Sequence, residues 1–298
     1  MAPLDAFESF LVEHVDDKIC AITPGGNHGD TLIHMGLVKK LDELGVDYVC
    51  RNLEEDYRRR RMVGVKYLLN IAASKLGMER GFNLIDVPED ADLILFEGGG
   101  YLNDIWYGLV LLRQTLRRHG QPIAVAPQSY WFKDTDFLGM LAGERPVTLF
   151  CREPYSHELL ASQPRPENVR VFTSGDTALY LERSDLENLI DETGRSYDLI
   201  CFRRDRESLI PDEMRREVVE ASEAPLVGDV SKTGSLRDFV SAVANARRIH
   251  TDRLHLAILS HILGREATLY DGLYHKSRGV YEYSLRQDPK IKFVEFIL

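Results

Sequence analysis

The sequence predicts an α/β protein built from two Rossmann-like halves facing each other across a cleft, each with a mostly parallel sheet. Three observations carry that expectation. Short, continuously apolar runs alternate with helical periodicities along nearly the whole chain, as when strands are buried on both faces of a sheet. Glycine-bearing or charged segments follow these runs at their carboxyl ends, where open parallel sheets bind ligands. The alternation loosens once, around Asp176 to Ser196, which divides the 298 residues into an N-terminal domain, 1–178, and a C-terminal domain, 179–298.

Lys18 to Thr23 reads as a buried strand. It runs into Pro24-Gly25-Gly26-Asn27-His28-Gly29-Asp30-Thr31 before a helical pattern over Leu32 to Leu44, which Gly45 stops. Asp47 to Asn52 is a second strand, and a helical region covers about Glu54 to Leu76. Ala91 to Phe96 is a strand ending in Glu97-Gly98-Gly99-Gly100, with a helix after it through about Arg118. Pro122 to Ala126 precedes Pro127-Gln128-Ser129, Val147 to Cys151 precedes Arg152-Glu153, a helix spans Tyr155 to Leu160, and Val169 to Phe172 closes the half. After the polar linker the rhythm resumes with strands at Tyr197 to Arg203, Pro225 to Val230, Arg248 to Thr251, Ala267 to Tyr270 and Lys292 to Ile297. Helices are expected at Pro211 to Glu220, Leu236 to Asn245 and Leu254 to Leu263. No repeat, heptad or low-complexity tract interrupts this order.

A formal net charge of −10 argues against a general nucleic-acid binder, because phosphate backbones are held by clustered Lys and Arg. Any anionic ligand must be caught locally. Met1 to Val12 has neither the basic start nor the apolar core of a signal peptide, and no run of about 18 apolar residues occurs, so a soluble, cytoplasmic protein is expected. Cys20, Cys50, Cys151 and Cys201 form no CxxC pair and read as buried, reduced thiols. No His, Cys or carboxylate cluster calls for a metal.

The sharpest candidate is Thr251-Asp252-Arg253-Leu254-His255, a strand end that opens a helix. Arg fits a carboxylate or phosphate bidentately, a helix N-terminus favours an anion, and His exchanges a proton near neutral pH. Lys276, after the next strand, adds a third basic group. At the first strand end, Asp30 reads either as a base for a polar ligand or as a helix-capping residue. The segment is not GxGxxG, and no GxxxxGK[ST] exists. Gly99 and Gly100 either admit a substrate to the backbone or ease a crossover turn, and Gln128 and Ser129 suit sugar hydroxyls. Arg152, emerging from a buried strand, either faces an anion or pairs with Glu153 or Asp176. Arg203, Arg204 and Arg206 interleave with Asp205 and Glu207, which leaves a phosphate contact and a solvated loop both open. Arg58, Arg59, Arg60 and Arg61 read as a solvated face, with contact to anionic lipid at a membrane's inner face as the alternative.

In order, Gly26-Asn27-His28-Gly29-Asp30, Gly98-Gly99-Gly100, Pro127-Gln128-Ser129, Arg152 with Ser156, Asp176, and Asp252-Arg253-Leu254-His255 with Lys276 beyond it resemble the polysaccharide pyruvyl transferase family. The resemblance spans nearly the whole chain. It implies a GT-B-like fold and transfer of a pyruvyl group from phosphoenolpyruvate to a sugar of an exopolysaccharide or cell-surface glycan as a cyclic ketal, releasing phosphate. Donor contacts are then expected from Arg152, Arg253, Leu254, His255 and Lys276. Acceptor contacts, with a free sugar or a lipid-linked oligosaccharide, are expected from Gly26, Asn27, Gly29, Gly99, Gly100, Gln128 and Ser129. His255 is the expected acid and Asp30 the expected base, with no cofactor beyond the donor substrate. Two other functions fit the same fold: a glycosyltransferase using a nucleotide sugar, and a non-catalytic sugar- or anion-binding relative.

Overall fold

The structure, a computed structural model, describes residues 5–53, 61–76, 81–106, 108–194 and 196–296. The chain forms two compact units, Met1–Gly26 with Leu37–Asp176 and Asn27–Gly36 with Thr177–Leu298. The division therefore falls at Asp176 rather than after 178, and a ten-residue segment near the start groups with the C-terminal unit. Its reason is packing: Leu32 and Ile33 belong to the second core, and the Thr177 hydroxyl donates to the Ile33 carbonyl at 3.0 Å.

The first unit opens with helix α1, Ala6–Glu13, which the sequence reading passed over. Its signal is the Asp5 to Glu8 spacing: Asp5 caps the Glu8 amide and Glu8 reaches back to the Asp5 amide, a reciprocal capping box. Phe7 and Phe10 then meet Phe150 edge-on, with ring centroids 5.0 and 5.3 Å apart. Strand β1, Lys18–Thr23, leads to helix α2, His28–Leu44, and β2, Asp47–Asn52. Helix α3, Arg61–Lys75, precedes β3, Leu93–Phe96, and helix α4, Gly108–Arg118, precedes β4, Ile123–Gln128. Strand β5, Val147–Cys151, helix α5, Pro154–Ala161, and β6, Val169–Thr173, complete the unit. The six strands are all parallel in the order β2-β1-β3-β4-β5-β6. In the four inner strands, β1, β3, β4 and β5, the side chains are buried without polar alternation because both sheet faces are covered there, whereas the edge strands β2 and β6 are partly exposed.

The second unit repeats the plan. Strand β7, Tyr197–Cys201, helix α6, Asp212–Glu220, strand β8, Leu226–Val227, helix α7, Leu236–Asn245, and β9, Ala246–Thr251, are followed by helix α8, Leu254–Ile262. Strand β10, Glu266–Tyr270, and β11, Ile291–Val294, finish a parallel sheet ordered β11-β10-β9-β7-β8. Counted from its own first strand, this is the same winding as the first unit. Each sheet reverses its direction of growth beside its first strand, between β1 and β3 and between β7 and β9, and such points leave a crevice outside the strand ends. The α/β class with two parallel sheets is the one expected.

Three details depart from expectation. The stretch taken for a linker is folded: Thr177–Tyr180 and Glu187–Leu189 are 3₁₀ turns around a helical turn at Arg183–Leu186, and Ala178, Leu181 and Leu186 are buried in the second core. The expected strand Pro225 to Val230 shrinks to two exposed edge residues, because Asp229 bends away to meet Arg253. Cys20, Cys151 and Cys201 are buried free thiols, whereas Cys50 is half-buried. Arg58, Arg59, Arg60 and the side chain of Arg61 lie outside the described residues. Among the described residues no helix is long and apolar enough to cross a membrane. Because Phe7 is fully buried, Phe7→Ala is expected to cost about 3–5 kcal/mol, read as a lowered denaturant midpoint of the first unit.

Candidate functional site

At the switch point of the second sheet, the ends of β7 and β9 are tied by Asp252. One carboxylate oxygen accepts the Arg203 amide at 2.7 Å and the other the Ser208 hydroxyl at 2.5 Å. Arg215 adds bonds to the Ser208 hydroxyl and the Arg203 carbonyl. Asp252 is thus a brace that fixes the two chain segments emerging from the sheet. Immediately after it, Arg253 occupies the N-cap position of α8, its amide held by the Thr251 hydroxyl at 2.9 Å and its own side chain making no cap bond to the helix.

Four cations and three carboxylates pair here. The Arg253 guanidinium is 5% exposed, bonded to Asp229 and 3.7 Å from Asp205. Arg203 grips Asp205 at 2.8 and 3.1 Å and Glu207 at 2.6 Å, Lys276 pairs with Glu207, and Lys232 reaches Asp205 at 3.2 Å. The Lys276 ammonium also lies 5.2 Å from the Tyr274 ring centroid. Burial alone would raise the Asp205 carboxyl, but the Arg203 hydrogen bond and the Arg203 and Arg253 charges hold it well below the carboxylate range. Asp229 behaves alike: burial pushes it up, and the Ser231 hydroxyl and Arg253 more than reverse that. Despite this network, the buried Nε of Arg253 has no hydrogen-bond partner among the described residues. A buried N–H of this kind is the donor an incoming oxyanion would satisfy.

His255 stands two residues beyond Arg253, in the first turn of α8 and against the start of α2. A Cβ placed on Gly29 would come within 2.7 Å of both the Cβ and the Nδ1 of His255, so only glycine admits this approach. The loop is held by Asn27, whose side chain accepts the Gly29 amide at 2.8 Å, and by Asp30, whose carboxylate accepts the Asn27 amide at 2.8 Å. Asn27 therefore caps α2, and Asp30, in the first turn of the helix, answers the Asn27 amide. His28 anchors the same turn, its amide on the Ser231 carbonyl and its ring stacked on Phe239. Leu254 directs its side chain into the core.

The first unit collects the other candidates. Pro127 cannot donate to the ladder, and the β4–β5 register shifts between Val125 and Gln128. The displaced Pro127 carbonyl would lie 2.3 Å from a Cβ at Gly98, and it accepts the Gly99 amide at 3.1 Å. The glycine run therefore serves close backbone packing. Gly26, at φ 154°, ends this unit's first segment, and Gly100 is half-buried. Arg152 is fully buried, with Nε on the Ser129 hydroxyl and Nη1 on Asp176, both at 2.8 Å. Of the two pairings open to it, Asp176 is the one formed. Gln128 is fully buried beside it, and neither amide atom has a partner among the described residues.

Asp229 and Lys232 are site residues that no sequence motif marks, and the segment after β8 delivers both. Asp205 and Glu207 were read as part of a mixed-charge loop, and their Arg-x-Asp-x-Glu spacing from Arg203 to Glu207 was the available signal. Among the described residues no group of three or more His, Cys, Asp or Glu is placed to hold a metal ion.

Acidification tests the network. Carboxyls depressed in the fold contribute stability that is fully present above their unfolded value near ~3.9 and is lost as pH falls towards their folded values. Denaturant midpoints of the second unit should hold from pH 7 to about 5 and fall below about 4, and Asp229→Asn should flatten that fall.

Comparison with known proteins bears on these strand ends. A Klebsiella pneumoniae subsp. pneumoniae protein described as functionally uncharacterized is similar over 97% of this chain and 96% of its own, at 21% identity and TM-score 0.64. A UDP-N-acetylglucosamine 2-epimerase is similar over 94% of this chain and 83% of its own, at 11% identity and TM-score 0.50. At these identities the likeness is one of fold. No curated protein matches the sequence. The family described as polysaccharide pyruvyl transferase matches residues 27–271, from the Asn27 turn through the Asp252-Arg253-Leu254-His255 segment, and the chain belongs to that family.

Proposed function

We propose that the chain transfers a pyruvyl group from phosphoenolpyruvate to a sugar of a surface glycan or exopolysaccharide as a cyclic ketal, releasing phosphate. The observation that carries this reading is Arg253: a buried guanidinium at a helix start, with an Nε that has no partner among the described residues, beside His255. Family membership supplies a pyruvyl donor and a sugar acceptor.

Phosphoenolpyruvate presents a carboxylate and a phosphate, and Arg253 and Lys276 offer the second unit's complementary charges. Their carboxylate partners keep them in place and must share them when the donor arrives. His255 protonates the methylene carbon, giving a centre of oxocarbenium character that one sugar hydroxyl attacks. A second hydroxyl displaces phosphate and closes the ketal. Of the two hydroxyl protons released, one restores His255 and the other leaves with phosphate, so the balance closes without a cofactor. Leu254 serves by packing. Arg152, bonded to Ser129 and Asp176, acts by holding the strand ends that carry Gln128. Asp30 acts through the Asn27 turn; Gly26, Gly99, Gly100, Gln128 and Ser129 are the acceptor contacts proposed on the first unit, and Asn27 and Gly29 those proposed on the second. Cytoplasmic location, with the acceptor free or lipid-linked, accords with a phosphoenolpyruvate donor.

Incubation with phosphoenolpyruvate and a panel of pyranosides, following inorganic phosphate, tests the reaction. Binding of a nucleotide sugar with no phosphate from any acceptor would favour a glycosyltransferase instead, and phosphoenolpyruvate binding without turnover a non-catalytic relative. Arg253→Lys keeps the charge but loses the planar fork, and kcat/KM for phosphoenolpyruvate is expected to fall roughly 100-fold. His255→Ala is expected to lower kcat by about 10²–10⁴ while leaving KM for phosphoenolpyruvate nearly unchanged. Equal losses in both would reduce His255 to a contact residue.

A further inference from the structure

At the other end of the first unit's sheet, beside the amino ends of β4 and β5, lies a cavity of about 770 Å³ lined in part by Arg113, Arg117, Met140, Glu144 and Arg145. Arg145 is its most unusual member. Its Nη2 donates to the His119 carbonyl, while its buried Nε and Nη1 have no hydrogen-bond partner among the described residues, and no carboxylate pairs with it there. Burial lowers the pKa of this guanidinium from its usual value. Nor is its position accidental. The Asn168 side-chain amide donates to the Arg145 carbonyl at 2.6 Å and the Leu141 carbonyl at 2.9 Å, which fixes the 141–145 turn.

The surroundings are positive. Arg113 makes no ion pair among the described residues, and its Nε contacts the Met140 sulfur at 2.9 Å. Arg117 and Arg118 end α4. His119 is kept towards its neutral form by burial and then by the Arg145 and Arg118 charges. Two buried guanidinium N–H groups without acceptors are costly, and in a chain of net charge −10 the concentration of arginines around them calls for an anionic counterpart. Met140, Leu116 and Pro146 add an apolar wall.

We propose that this cavity is a second anion site, which binds a soluble phosphorylated ligand through a phosphate or diphosphate group seated on Arg145 and Arg113. Arginine suits phosphate because several N–H groups meet several oxygens at once. A soluble ligand fits better than a lipid headgroup because the donors of Arg145 are recessed below the rim. The apolar wall gives the organic part of the ligand somewhere to lie. This site does not depend on the pyruvyl-transfer reading, which concerns the carboxyl ends of the strands.

Titration calorimetry of the full chain with inorganic pyrophosphate tests it. Saturable binding with Kd below about 1 mM is expected at about 0.15 M salt, weakened at least roughly 10-fold by Arg145→Gln and about 3-fold by Arg113→Gln. Arg253→Lys should leave this Kd unchanged. Arg113 is half-buried on α4, so its variant keeps the test decisive if Arg145→Gln fails to fold. Absence of saturable binding to the native chain, an Arg113→Gln chain that binds as tightly as the native one, or loss of binding in Arg253→Lys instead would each overturn the proposal.

Discussion

The second unit depends on the burial of one guanidinium. Arg253 sits where a strand has just ended and a helix has just begun, at a point the winding of the sheet leaves open, and there it is removed from bulk water. An arginine so placed needs counter-charge, and the chain brings it from two other strand ends, Asp205 after β7 and Asp229 after β8. The consequences spread outward. Asp229 can arrive only if β8 stops at two residues, and Asp205 must itself be held, which Arg203 does while also gripping Glu207. Glu207 in turn fixes Lys276.

That chain of dependence explains why the backbone was more legible than the site. Strands β1 and β5 can be read from composition because a sheet buried on both faces leaves little except apolar side chains in its strands. Arg253 and His255 could be read because a strand end followed by a helix is a local pattern. Asp229 could not, because its partner Arg253 lies 24 residues further along the chain and the two meet only through the order of strands. Helix α1 was missed although Asp5 and Glu8 spell a capping box, since eight residues give too little periodicity beside it. The polar stretch from Asp176 to Ser196 departs for the opposite reason: Ala178, Leu181 and Leu186 are buried and Leu179, Leu189 and Ile190 pack against the same core, and composition gives no weight to where they point.

Burial alone does not separate a ligand-binding arginine from a structural one; the count of satisfied donors does. Arg152 and Arg253 look equivalent in sequence, each the first or second charged residue after a buried strand. Arg152 is the more deeply buried, yet a serine hydroxyl and an aspartate carboxylate hold it in ideal geometry, and none of its nitrogens stands among the unpartnered buried atoms. Arg253 has a partner on one side and a dry, unpartnered Nε on the other. Removing water from an N–H without replacing its acceptor costs about 1–3 kcal/mol, so a fold keeps such a group only where something else acts on it. By this criterion Arg253 is the arginine with a donor to spare for an anion, and Arg152 is the post that keeps Ser129 and the Gln128 amide at the end of β4. The fully buried Gln128, with both amide atoms lacking partners among the described residues, is the first unit's counterpart of Arg253: a neutral group suited to a hydroxyl, as Arg253 is suited to an anion.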